Sequence, residues 1–282
     1  MVKMTIFAAY QNAKKVLEEA GIEDYGFESR QIIRHVTGLD NAKIMVKYNE
    51  QLTPLQQTVY NDILNRRKNR YPLQYILGCW SFYGLEFFVG DGVLTPRADT
   101  ETLVDVALEF IKDKPGAQVL DLCSGSGCIA IAIAKNSEAT VDAVEKYETA
   151  YGYLEKNIKK HAAAVTPICA DIYEFAPDKK YDLIVSNPPY IAADEMEEMD
   201  AETAFEPAEA LYGGEDGLMF YRFITEAYKT YLAPGGALAF EVGFKQADAV
   251  KEILAAAGFG NIGTREDLAK IQRVVYGTLE NI

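Results

Sequence analysis

Apolar residues recur at Ile6, Ala9, Ala13, Val16, Leu17 and Ala20. That spacing is close to 3.6 residues and predicts an amphipathic helix, ended by Gly21. Residues 29–36 and 42–48 read as two further short helices. Thr53-Pro54 supplies a cap and a proline at the first helical position, so a longer helix is predicted from there to about Arg70. The pattern changes over residues 71–95, where aromatic residues and glycines punctuate short apolar runs. This predicts a β-hairpin linker holding the single tryptophan, Trp80, which reads first as core packing, with a substrate contact at the domain junction as the alternative. From about residue 98 helical and extended patterns alternate. Helices are predicted at 98–112, 129–135, 149–160, 217–232 and 246–256. Strands are predicted at 118–122, 140–144, 165–169, 181–186 and 237–242. Two closing strands, 259–264 and 271–278, have no helix between them. The alternation predicts an α/β domain with a parallel sheet covered on both faces. The missing helix predicts that one closing strand runs antiparallel. The acidic stretch 194–206 reads as a mobile loop or short helix. The boundaries so drawn are a helical domain over 1–72, a hairpin linker over 73–95 and an α/β domain over 96–282.

Composition narrows the class without changing this picture. With 49% hydrophobic and 25% charged residues the chain is of ordinary globular type. No apolar run reaches the roughly 20 residues needed to span a bilayer. The first residues, Met1-Val2-Lys3-Met4-Thr5, lack a signal peptide's apolar core. Cys79, Cys123, Cys128 and Cys169 form no CxxC pair, so reduced thiols are expected in a cytoplasmic protein, with neither a disulfide framework nor a metal site. Charge is unevenly placed. Residues 1–90 hold 11 Lys+Arg against 9 Asp+Glu, net +2, and residues 91–282 hold 17 against 33, net −16. Binding to duplex nucleic acid rests on phosphate neutralisation, and this balance argues against it. The basic cluster Arg66-Arg67-Lys68-Asn69-Arg70 reads first as a solvated helix end, with a patch for RNA or an acidic partner as the alternative.

Candidate chemistry sits at the ends of the predicted strands. Asp121-Leu122-Cys123-Ser124-Gly125-Ser126-Gly127 follows the first strand and opens a helix. Gly125 and Gly127 let backbone approach a ligand, and the helix start offers free N–H groups. Glu145, 20 positions after Gly125, ends the next strand, where a carboxylate can accept ribose hydroxyls. Asp171-Ile172 follows the third strand, placing a carboxylate for an adenine amino group and an apolar cover for its ring. The loop also satisfies a loose GxGxxA dinucleotide pattern, so NAD and S-adenosylmethionine both remain open on the loop alone. A negative Asp121 favours the second, because it suits an ammonium and a sulfonium and repels a pyrophosphate.

Asn187-Pro188-Pro189-Tyr190 follows the β-branched run Leu183-Ile184-Val185. Two prolines cannot extend the strand, so the chain turns at its C-terminal end, where open α/β sheets bind ligands. An amide oxygen and a prolyl carbonyl can together accept both hydrogens of a planar NH2 group, and a tyrosine can pack on its plane. The plain alternative is an ordinary turn with Asn as its polar residue. His35 and His161 read as structural, and no side-chain general base is evident.

With these residues assembled, the chain resembles the HemK-type release-factor glutamine methyltransferases. The resemblance covers most of the chain beyond residue 66. It rests on segments 72–78, 94–101, 121–127, 186–191 and 205–217, the last beginning Phe205-Glu206-Pro207. It implies a seven-stranded, Rossmann-like S-adenosylmethionine-dependent methyltransferase sheet whose last strands form an antiparallel hairpin. It also implies a small all-α N-terminal domain that helps grip the substrate. The implied reaction is methylation of N5 of the glutamine in the Gly-Gly-Gln loop of class I peptide release factors, with S-adenosylhomocysteine as product. Asn187, Pro188 and Tyr190 would be catalytic, and Pro189 would join them in holding the glutamine. Asp121, Cys123, Ser124, Gly125, Ser126, Gly127, Glu145, Asp171, Ile172 and Asn187 would bind the cofactor. Cys123 stands where the family commonly has glycine, and Ile172 where it often has an aromatic residue. Methylation of a ribosomal-protein glutamine is the close alternative, N6-methylation of adenine in nucleic acid a more distant one. A monomer is expected.

Overall fold

The structure, a computed structural model, describes residues 4–279. The reading made at Met1-Val2-Lys3 and the last three positions of the α/β domain lie outside the described residues. The chain divides into two compact units. One comprises the residues up to Gly78 together with Ala201–Phe205, and the other Cys79–Asp200 and the residues from Glu206 onward.

The first unit is helical. Helix α1 (Ile6–Glu19) starts at Thr5, whose hydroxyl accepts from the Ala8 N–H at 3.1 Å. Helix α2 (Tyr25–Thr37) ends at Gly38, which takes a left-handed φ of 68°. The short α3 spans Asn41–Val46. Helix α4 (Pro54–Lys68) opens with a reciprocal capping box between Thr53 and Gln56. It stops short of the expected Arg70 because that residue turns to a φ of 67°. Where the pattern predicts the start of a hairpin, the chain forms one more turn, α5 (Leu73–Leu77), entered after Pro72 and closed by Gly78 in the left-handed region. Ala9, Ala13 and Leu17 of α1 bury with Ile32 and Ile33 of α2 and Ile63 of α4. Tyr60 threads this core and donates its hydroxyl to the Ala9 carbonyl at 2.8 Å.

The basic cluster ending α4 is consumed within this unit. Arg67, 1% exposed, donates to both Glu28 oxygens at 2.6 and 2.9 Å and to Glu202 at 2.8 Å. Arg70 reaches Glu202 at 3.1 Å, and the Arg66 guanidinium lies over the Tyr71 ring. So neither the solvated-end reading nor the nucleic-acid patch describes Arg67, whose charge is matched by two half-buried carboxylates.

The second unit begins with an antiparallel hairpin, β1 (Cys79–Phe82) and β2 (Leu85–Phe88). There follow α6 (Glu101–Ile111), β3 (Gln118–Leu122), α7 (Cys128–Lys135), β4 (Thr140–Glu145), α8 (Glu148–His161), β5 (Val165–Cys169) and β6 (Tyr181–Ser186). The acidic stretch after β6 holds a short 3-10 turn, Glu195–Glu197, in this unit, while the next, Thr203–Phe205, belongs to the first. Helix α9 (Met219–Tyr228), β7 (Leu232–Glu241), α10 (Ala247–Ala256), β8 (Phe259–Glu266) and β9 (Gln272–Leu279) complete it. Strand β7 starts earlier than the apolar pattern suggests, through Pro234 and two glycines that look like a loop. Only glycine fits at Gly236, because a Cβ there would lie 2.9 Å from the Ala233 carbonyl oxygen and 3.0 Å from that of Tyr181.

The seven strands lie in the order β5-β4-β3-β6-β7-β9-β8. All neighbours from β5 to β7 are parallel, and β9 runs antiparallel to both β7 and β8. This is the Rossmann-like methyltransferase sheet with its closing antiparallel strand. Pro167 is tolerated because β5 is an edge strand. Alternate residues of each strand face opposite layers. Val119, Val141, Leu183 and Ala237 pack against α6, α7 and α8. Leu120, Val144, Ile184 and Leu238 pack against α9 and α10. Among the described residues no helix is long and apolar enough to cross a membrane.

Candidate active site

The strand order reverses between β3 and β6, and in such sheets the carboxyl ends flanking the reversal form a crevice. Here that crevice is a cleft of about 1000 Å³, its mouth included. Its walls include residues 92–97, the loop after β3, the ends of β4 and β5, the turn after β6, Pro207, Glu209 and Ala210 of segment 205–217, and Phe220 of α9. Of the residues singled out in the sequence, Cys123, Ser124, Gly125, Ser126, Glu145, Asp171, Ile172, Asn187 and Pro189 line it. Asp121, Gly127, Pro188 and Tyr190 are not among its lining residues.

Each of those four has a different position. Asp121 is fully buried beneath the loop, and neither carboxylate oxygen has a hydrogen-bond partner among the described residues. Burial pushes its carboxyl up to about 7, and the Glu145 charge adds to the shift. Gly127 serves packing: a Cβ there would meet Leu154 Cδ1 at 2.4 Å. Gly125 differs, because its φ is 54° and a Cβ would project into open space. Pro188 is buried, and Tyr190 is half-buried against the α9–α10 layer.

Glu145 shapes the loop. Its carboxylate accepts the Gly125 N–H and the Tyr147 N–H, each at 2.8 Å. Burial raises its pKa while those N–H groups oppose the rise. A carboxylate has about four acceptor positions, so two remain for a diol. Asp171 ends β5's loop in an ion pair with Lys146 at 2.8 Å and accepts the Tyr173 N–H at 3.0 Å. Burial alone would raise its pKa, but Lys146 and that N–H hold it below the ordinary carboxylate value. Ile172 is buried beside it.

The turn after β6 is held from behind. The Gln246 Nε2 donates to the Tyr190 carbonyl at 2.8 Å. Ile191 donates its N–H to the Leu211 carbonyl and accepts the Gly213 N–H at its own carbonyl, each at 2.8 Å. A Cβ on Gly213 would lie 2.7 Å from Tyr190 Cα, and one on Gly217 would lie 2.4 Å from the Tyr190 carbonyl oxygen. Gly213 and Gly217 therefore let this turn sit where it does.

Three contacts were not readable from spacing. Glu206, buried, accepts the Thr95 N–H at 3.0 Å and pairs with the Arg97 guanidinium. That pair joins segments 94–101 and 205–217, which are distant in sequence. Asn157, fully buried on α8, binds the Phe88 N–H and carbonyl and the Ser126 carbonyl. It ties the hairpin to the loop after β3. Asn187 donates its Nδ2 to the Thr100 hydroxyl at 3.4 Å, and a buried carboxylate, Glu241, stands beside both. A polar residue on a predicted core strand was the only signal for Glu241.

Comparison with known proteins agrees with this geometry. A family model described as PrmC N-terminal domain matches residues 8–78, and one described as methyltransferase small domain matches residues 98–220. A release factor glutamine methyltransferase of Geobacter sulfurreducens is 40% identical over 265 residues, covering 93% of each chain. One of Clostridium acetobutylicum is 38% identical over 285 residues, covering 96% of this chain and 98% of its own. Among solved structures, the hMettl16 catalytic domain in complex with the MAT2A 3′UTR hairpin 6 superposes with a TM-score of 0.62 at 14% identity, covering 76% of this chain and 84% of that one. At that identity the likeness shows the fold alone. The sheet, the cleft and relatives aligned from end to end lead to one conclusion: the chain belongs to the release factor glutamine methyltransferase family.

Proposed function

We propose that this protein transfers a methyl group from S-adenosylmethionine to the side-chain nitrogen of the Gly-Gly-Gln glutamine in a class I peptide release factor, in the cytoplasm and as a monomer. The observation that carries the reading is the Asn187-Pro188-Pro189-Tyr190 turn, fixed by Gln246 and Gly217 at the edge of a nucleoside-sized cleft.

The cleft fits S-adenosylmethionine on features of its own. Gly125 leaves open space where a side chain would stand, and Glu145 keeps acceptor positions for a ribose diol. Asp171 and Ile172 would take the adenine end. The unpaired Asp121 carboxylate, beneath the loop, supplies negative potential for a cationic ligand. The bound cofactor supplies an electrophilic methyl on a sulfonium.

The protein's own task concerns the acceptor. A carboxamide nitrogen is a weak nucleophile because its lone pair is delocalised into the carbonyl. Asn187 Oδ1 and the Pro188 carbonyl accept its two hydrogens and hold it in place. As the nitrogen becomes positive those two oxygens stabilise it, which is preorganised electrostatic catalysis. Holding the nitrogen in line adds a proximity contribution. Tyr190 backs the turn, packed against the α9–α10 layer. The proton then leaves to water.

Asn187→Ala tests this. Its turnover on a release factor should fall by about 100- to 1000-fold, the usual cost of removing one such group, with S-adenosylhomocysteine affinity retained. Near wild-type turnover would refute the reading of the turn. Parallel assays on ribosomal protein and duplex DNA should show no comparable transfer.

A further inference from the structure

Glu241 is the last residue of β7, next to the β6 end that carries Asn187. It is 3% exposed, and its Oε2 has no hydrogen-bond partner among the described residues. A carboxylate in that state costs stability unless something uses its lone pairs. Its backbone is occupied, since Tyr221 donates its hydroxyl to the Glu241 carbonyl at 2.9 Å. Its side chain has Thr100 and Asn187 within hydrogen-bonding reach. It does not line the cleft, so it cannot touch the acceptor nitrogen.

An amide has a donating arm and an accepting arm, and the turn can hold an NH2 group only if Asn187 presents Oδ1. Asn187 Nδ2 points at the Thr100 hydroxyl, which leaves Oδ1 for the ligand. A hydroxyl cannot enforce this, because it donates as readily as it accepts. An ionised carboxylate can, because it only accepts. We propose that Glu241 is a positioning residue that fixes the orientation of the Asn187 amide, directly and through Thr100, so that Oδ1 faces the methyl acceptor. The proposal rests on the reading of Asn187 given above.

The charged and titratable groups around it are consistent with that task. Arg273 on β9 faces it but is engaged with Asp99 at 3.1 Å and Asp267 at 3.0 Å. Asp99 approaches from the segment before α6, and the Glu241 charge in turn acts on Tyr190 of the turn, Tyr221 of α9 and Cys128 of α7. Burial pushes the Glu241 carboxyl up to about 7, Thr100 and Arg273 opposing the rise. Below that value the protonated acid becomes a donor and no longer selects the amide orientation. Turnover is therefore expected to rise with pH as Glu241 ionises.

The test is a side-chain amide NMR titration of the ligand-free protein, with the Asn187 NH2 signals assigned by their loss in Asn187→Ala. In the wild type these signals should move with a midpoint near neutrality, and in Glu241→Gln they should not. In turnover assays Glu241→Gln should lose about 10- to 100-fold in kcat, as partners standing behind a ligating group usually do, with little change in KM. Its acid limb should also vanish. Asn187 signals that do not titrate, or that titrate unchanged in Glu241→Gln, would overturn the proposal. Should that variant fail to fold, Asp121→Asn decides, because it removes the other buried carboxyl near neutrality. Titration that survives in Asp121→Asn supports Glu241, and titration that disappears overturns it. The NMR signal needs no substrate, so a wrong assignment of the reaction would show separately, as normal titration with Asn187→Ala still fully active.

Discussion

Two carboxylates at the strand ends have opposite duties. Glu145 has hydrogen-bond partners, whereas among the described residues the Asp121 oxygens have none within bonding geometry. A carboxyl raised from 3.8 to about 7 on folding binds a proton more tightly in the native state. The stability it contributes is fully present below about pH 4 and is lost as pH rises through about 7. Asp121→Asn should therefore flatten the decline in Tm between pH 5 and pH 8 in the ligand-free protein, and raise Tm at pH 8. A Tm lower than wild type at pH 8 would contradict that account. Glu145→Gln keeps the shape but replaces one acceptor with a donor that faces an N–H. It should weaken S-adenosylhomocysteine binding by about 10- to 100-fold in calorimetry, the range expected for losing hydrogen bonds to a charged group. Unchanged affinity would remove Glu145 from the cofactor site.

At the scale of elements, the turn after β6 is an assembly of distant pieces. Its own residues are contiguous and could be read from one strand-ending Asn-Pro-Pro-Tyr. What holds it comes from segment 205–217 and from α10. Gly217 combines a φ of 70° with a position where a Cβ would lie 2.4 Å from the Tyr190 carbonyl oxygen and 2.5 Å from Gln246 Nε2. Gly217→Ala should cost on the order of 1–3 kcal/mol through strain and displaced packing. Because the displaced atoms belong to the turn, turnover should fall further than cofactor affinity. Equal losses in both would show that the strain is absorbed elsewhere. The parallel strands and their helices were legible in the sequence because buried β-branched runs and 3.6-residue stripes are local signals. Helix α5 and the start of β7 were not. Capping at Pro72 and Gly78 outweighed an aromatic pattern in the first, and close packing of Gly236 on Tyr181 set the second. For the same reason Gly125, Glu145, Asp171 and Asn187 could be picked out from strand ends. The Glu206–Arg97 and Asn157–Ser126 contacts, which join residues far apart in the chain, could not.

For the whole molecule, charge points away from nucleic acid. Residues 91–282 carry net −16, while Arg67 and Arg70 of the cationic cluster are paired with Glu28 and Glu202 within the helical unit. The fold itself does not discriminate, since a similar sheet serves the hMettl16 catalytic domain. The acceptor must therefore be established by chemistry. The most direct measurement is mass mapping of a class I release factor after incubation with the protein and S-adenosylmethionine. A single added methyl on the glutamine of the Gly-Gly-Gln loop is expected, absent with Asn187→Ala and absent when that glutamine is replaced. Methylation of another residue, or an unmodified glutamine alongside transfer to a ribosomal protein, would contradict the account.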